Sequence, residues 1–185
     1  MKFSFAIKIV AACAVSVCAS TSFAHIVLAD SAALGNTGYS AALRVGHGCN
    51  GSATTAIRVT VPAGFQGAKP MPKAGWVLST TVGKLDKPFD DHGKQITEGV
   101  TSITWTAAPG NALPDAYFDE FVLRGSLPAT GGEGGAMWFK VLQTCEKGST
   151  DWAEIPAPGT SAHDLKSPAA MLEIIPSDHV GGHMH

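Results

Sequence analysis

Residues 56–61 read Ala-Ile-Arg-Val-Thr-Val and run directly into Pro62-Ala63-Gly64. Ile57, Val59 and Val61 alternate with Arg58 and Thr60, and the run stops at a turn. That is the pattern of a strand with one face on a core. The same texture recurs along the chain in Tyr39–Val45, Trp76–Val82, Val100–Thr106, Tyr117–Leu123, Met137–Gln143 and Met171–Ile175. Turn-forming clusters such as Pro109-Gly110-Asn111 and Gly131-Gly132-Glu133-Gly134-Gly135 punctuate these runs,. No long helical periodicity and no internal repeat is present. Short strands at fairly regular spacing predict an all-β chain folded as an antiparallel β-sandwich. Lys84–Gly99 reads as a small hairpin turning at Asp91-His92-Gly93, and Pro156–Pro168 as a long ordered loop.

The first 24 residues have a different character. Lys2 and Lys8 give a short basic start, Ile9–Val17 is apolar, and Ser22-Phe23-Ala24 has the small-x-small pattern that signal peptidase reads,. The apolar run is shorter than the roughly 20 residues a helix needs to span a bilayer. A signal peptide over 1–24, cleaved after Ala24, is therefore expected, with a retained anchor as the competing reading. Cleavage leaves 161 of the 185 residues and removes two lysines and no acid, moving the formal net charge from −2 to −4. That balance speaks against nucleic acid, which is held mainly by Lys and Arg. No later run is long enough to span a membrane, so no span is expected in the mature chain. Cys13 and Cys18 leave with the leader, and Cys49 and Cys145 remain. In an oxidising compartment these two are expected to form a disulfide. A cysteine-based metal site is the weaker alternative, because no CxxC spacing occurs.

Cleavage after Ala24 would give His25 a free α-amine. Its ordinary pKa is about 7.7–8.0, so it yields its proton to a metal near neutral pH. Amine and imidazole of one residue then chelate together, and such nitrogen ligands suit Cu(II). Further ligands must come from elsewhere. Asp115, behind Pro114, is placed to project off a strand end, while Asp119 and Glu120 fall on opposite faces of a strand. Each is otherwise a solvated carboxylate. His47, beside Cys49, is a further candidate or a turn residue, and His92 and His163 are others. Trp76, Trp105 and Trp138 read as core residues. Trp152 lies at a short edge or loop and is the tryptophan placed to face a site, where its ring could shield a cation. The segment 177–185 has little apolar content and is expected to lack fixed structure. It gathers His179, His183, Met184 and His185, an accessory metal site by composition,.

Several blocks in order then resemble the YcnI-like copper-binding domain of bacteria. They are His47-Gly48-Cys49-Asn50-Gly51-Ser52, Lys69-Pro70-Met71-Pro72-Lys73-Ala74-Gly75-Trp76, Thr97-Glu98-Gly99-Val100, and Leu113-Pro114-Asp115-Ala116-Tyr117-Phe118-Asp119-Glu120-Phe121. Thr144-Cys145-Glu146-Lys147-Gly148, Trp152-Ala153-Glu154-Ile155-Pro156 and His163-Asp164-Leu165-Lys166-Ser167-Pro168 complete the set, which spans nearly the whole mature chain. The resemblance implies a cupredoxin-like or immunoglobulin-like sandwich over residues 25–176, exported to the periplasm for copper homeostasis. It implies a copper brace of one N-terminal histidine, a carboxylate and a tryptophan, which by position are His25, Asp115 and Trp152. The carboxylate in that family is Glu, and Asp115 is one methylene shorter, which leaves Asp119 or Glu120 as substitutes.

The function expected is a copper-binding chaperone, buffer or delivery module, with copper, preferably Cu(II), as its ligand. Another periplasmic or membrane copper protein is the expected partner. No nucleophile–base set is evident, so no enzyme activity is expected. Two alternatives stand beside this reading. One is a polysaccharide monooxygenase-like copper oxidase, which needs a second histidine, His47 or His163, beside His25. The other is a structural or adhesion sandwich without metal.

Overall fold

Alternation decides which side chains enter the core. Tyr39, Ala41, Leu43 and Val45 are buried while the residues between them are not, and Met137, Phe139, Val141, Gln143 and Cys145 do the same. The computed structural model describes residues 25–132 and 135–177. Its strands are β1 (Val27–Leu28), β2 (Ala32–Leu34), β3 (Gly38–Val45), β4 (Thr54–Thr60), β5 (Gln66–Pro70) and β6 (Trp76–Asp91). They continue as β7 (Lys94–Ala107), β8 (Asp119–Ser126), β9 (Ala136–Cys145), β10 (Ser149–Trp152) and β11 (Ala170–Ile175). One sheet has the order β1-β3-β8-β5, and the other β2-β11-β9-β4-β7-β6, with β10 also beside β9. The strands pair antiparallel except β2 with β11, which run parallel. The expected all-β sandwich is the fold found.

The sheets meet through inward-facing aromatic and aliphatic side chains. Phe121 on β8 lies edge-on to Trp105 of β7 at 5.7 Å and to Trp76 of β6 at 4.8 Å. Phe65 and Phe139 pack likewise at 5.4 Å. Such pairs contribute about 0.5–1.5 kcal/mol each beyond their burial. Trp105 is fully buried and its indole N–H donates to the Met71 carbonyl. Trp76 is partly buried against the same core, as expected. Trp138 departs from expectation. It sits on the outward parity of β9, between buried Met137 and Phe139, and borders a surface hollow with Lys140.

Other departures have local causes. Trp76–Val82 and Lys84–Gly99 form one long hairpin, β6 on β7, interrupted by register shifts and turning at His92-Gly93. Tyr117 and Phe118 precede β8, because the Tyr117 N–H closes a turn onto the Pro114 carbonyl. They stand 64% and 71% exposed, so the strand's inward alternation begins only after them. The loop after β10 is stitched at its base by Glu154, whose N–H donates to the Ser167 carbonyl and whose carbonyl accepts from the Ala169 N–H. Among the described residues no helix is long and apolar enough to cross a membrane. The leader 1–24 and tail residues 178–185 lie outside the described residues.

Among the described residues, two side chains break the apolar rule in the core. Thr54 and Gln143 are fully buried, and each is satisfied. The Gln143 amide donates to the Thr54 hydroxyl at 2.8 Å and the His47 carbonyl at 2.7 Å, while its carbonyl accepts from the Trp152 indole at 2.9 Å. Beside it Cys49 and Cys145 form the expected disulfide, 96 residues apart in sequence. At the N-terminal side Tyr39 donates its hydroxyl to the Asp30 carbonyl, pinning the β1–β2 connection to β3. Burial, then the nearby Asp30 carboxylate, push the Tyr39 hydroxyl up to about 12.

Gln143→Leu keeps the volume but strands three polar groups, and is expected to cost about 2–4 kcal/mol in urea unfolding. Reducing the disulfide is expected to cost on the order of 4–5 kcal/mol, because it frees a long loop in the unfolded chain. A melt with and without reductant checks this. The raised Tyr39 value means its stabilisation is intact below the unfolded-state pKa near 10 and is lost as pH climbs towards 12. Tyr39→Phe should therefore flatten the alkaline fall in stability over that window.

Candidate metal centre

The site grows from the turn between β3 and β4. Asn50 and Gly51 both have positive φ, 50° and 83°, which makes the tight turn that pairs Cys49 with Ser52,. A Cβ on Gly48 would lie 1.8 Å from the Ser52 carbonyl oxygen, so only glycine fits there. That close packing lets the Gly48 N–H donate to an Asp115 carboxylate oxygen at 2.9 Å. His47, immediately before it, is half-buried. Its backbone is held by Gln143, and its ring nitrogen Nδ1 approaches the Gly48 carbonyl.

Trp152 ends β10 and is 3% exposed. Its N–H is occupied by Gln143, so its ring is what meets the histidines. The His25 ring lies edge-on to it at 5.9 Å and the His47 ring at 6.1 Å. His25 is brought there by β1, which pairs with β3 while Ile26 and Leu28 enter the core. Burial pushes the His25 imidazole below its ordinary value, and the positive potentials of His163 and then His47 add to that. Both act by disfavouring the protonated ring, which keeps a nitrogen lone pair available near neutral pH. His25 and His163 border one cavity of about 280 Å³, which also has Leu28, Pro168, Ala169 and Met171 in its wall.

The structure therefore gathers His25, Trp152, His47 and His163. Asp115 is exposed, accepts from the Gly48 N–H next to His47, and borders a separate hollow with Asn50, Ser52, Glu146 and Lys147. Asp119 and Glu120 are engaged elsewhere. Asp119 forms an ion pair with Lys73 at 2.6 Å and Glu120 with Arg44 at 2.7 Å. His92 sits at the tip of the β6–β7 hairpin. His179, His183, Met184 and His185 lie outside the described residues.

Among the described residues no three His, Cys, Asp or Glu side chains are grouped so as to hold a metal ion. Donors of another kind border the site: the Met171 thioether and, if the chain is cleaved after Ala24, the His25 α-amine. Gln143, Gly48 and Met171 were not legible as site residues in the sequence. Gln143 did leave a signal, as a polar residue on the inward parity of β9.

Comparison with known proteins places this geometry in a family. No curated protein is significantly similar to the chain. An uncharacterized protein from Nocardia farcinica, whose crystal structure has an immunoglobulin-like fold, is similar over 81% of this chain and 97% of its own. The identity is 27% and the TM-score 0.61. The family DUF1775, described as a domain of unknown function, matches residues 25–174. The chain belongs to the DUF1775 family.

Proposed function

We propose that the chain, cleaved after Ala24, is a YcnI-like periplasmic copper-binding protein that holds one Cu(II) ion on His25 for copper homeostasis. The observation that carries this reading is the setting of His25. The first residue of the mature chain is half-buried at 5.9 Å from a tryptophan ring that Gln143 fixes in place. A free amine there supplies a second nitrogen from the same residue, and two nitrogens plus an oxygen donor suit Cu(II). His25 gives amine and imidazole, Asp115 is the carboxylate held by the Gly48 N–H, and Trp152 walls one side against solvent and reductants.

The oxidase reading has one observation in its favour, the placement of His47 and His163 near His25. It also requires turnover. Copper-loaded mature protein supplied with reductant and polysaccharide would release oxidised sugars under that reading, and none under the copper-handling one.

The proposal is tested by Cu(II) titration of protein beginning at His25 beside protein carrying an extra Ala before it, read by electron paramagnetic resonance. The native start is expected to give a tight, nitrogen-rich, one-to-one signal, which His25→Ala and the added Ala both abolish. Equal binding by all three would overturn the brace.

A further inference from the structure

The cavity beside His25 has a donor set of its own. His25 and His163 border it from two separate parts of the chain, the N-terminal segment and the loop after β10, and Met171 borders it from β11. Three unrelated segments thus bring two imidazoles and one thioether to a space of about 280 Å³.

The arrangement is built. The loop carrying His163 is closed at its base by Glu154, through the bonds to Ser167 and Ala169 and a further bond from the Ser167 N–H to the Glu154 carboxylate. Its tip is a short 3-10 turn, Ala162–Asp164, capped by Ser161, whose hydroxyl accepts from the His163 N–H. Met171 is on the outward parity of β11, between buried Ala170 and Leu172, and is 41% exposed. Met171 is not part of the buried core cluster, and it borders the same cavity as the two histidines.

The chemistry of that set differs from the brace. A thioether is a soft donor that selects Cu(I), and imidazole accepts copper in either state. The Asp115 carboxylate, a hard donor, lies outside it. We infer that the cavity bordered by His25, His163 and Met171 is a Cu(I) site, which holds the reduced ion through two imidazole nitrogens and the Met171 sulfur.

The inference rests on the copper reading, but its ligands separate the two. The Cu(II) brace needs the His25 amine, whereas the Cu(I) site uses only the His25 ring. The experiment is an anaerobic competition for Cu(I) against a chromophoric chelator. It uses the full mature chain with His179, His183, Met184 and His185 replaced by Ala, so that the tail does not compete. Met171→Leu and His163→Ala are then introduced singly. Each is expected to weaken Cu(I) binding about tenfold or more, while Met171→Leu leaves the Cu(II) resonance signal unchanged. X-ray absorption of the Cu(I) form should show one sulfur and two nitrogen neighbours, with the sulfur lost in Met171→Leu. The added Ala at the N-terminus should abolish the Cu(II) signal and leave Cu(I) binding intact. Thermal melts check that both variants fold, as expected for an exposed loop residue and a near-isosteric change at a partly exposed one. Unchanged Cu(I) affinity in both variants, or no sulfur neighbour in the parent, would overturn the site whatever the Cu(II) result.

Discussion

The Gln143 side chain is the constraint on which the centre of this molecule depends. It is a fully buried amide on a strand whose other inward residues are apolar or half of a disulfide. A buried amide is tolerated only when its donors and acceptor are all met. Here they are met by three different segments, Thr54 on β4, the His47 backbone before the tight turn, and the Trp152 indole at the end of β10. One residue therefore fixes a tryptophan ring and a histidine relative to each other. The neighbouring disulfide ties the same turn to β9, so neither can drift without breaking covalent or well-satisfied polar contacts.

Around that fixed point the sandwich assembles histidines from distant parts of the sequence. β1 is only two residues long, yet its pairing with β3 and the burial of Ile26 and Leu28 set where His25 lies. Tyr39 reinforces this by bonding to the connection just after β1. His163 arrives on a loop whose shape is held by Glu154 at the base and Ser161 at the tip. The result is a half-buried imidazole whose pKa burial pushes below its ordinary value, beside an aromatic ring and a small cavity.

Much of the sandwich was legible in the sequence because period-two alternation is a direct imprint of burial. β3, β4, β7, β9 and β11 fall where their alternating runs are. The short strands β1, β2, β5 and β10 carry too few residues for a period to show, and they exist because neighbours offer free edges. Trp138 was misplaced because aromatic character outweighed its parity on β9. At the site, His25 and Trp152 were legible and the structure brings their rings together, while Asp115 is tied to the Gly48 N–H next to His47. His163 stood as one candidate histidine among several, and Met171 as the first residue of an alternating strand run. No spacing along the chain could show that they border one cavity, since that follows from how β11 and the last loop pack beside β1.

The central claim is that copper sits on the residue that becomes the N-terminus, beside Trp152. Anomalous diffraction at the copper edge, from crystals of Cu(II)-loaded protein beginning at His25, reads that position directly. The account predicts a single copper peak within bonding distance of both the α-amine and the imidazole of His25, next to the Trp152 ring. A copper peak elsewhere, with the His25 amine unliganded, would contradict it.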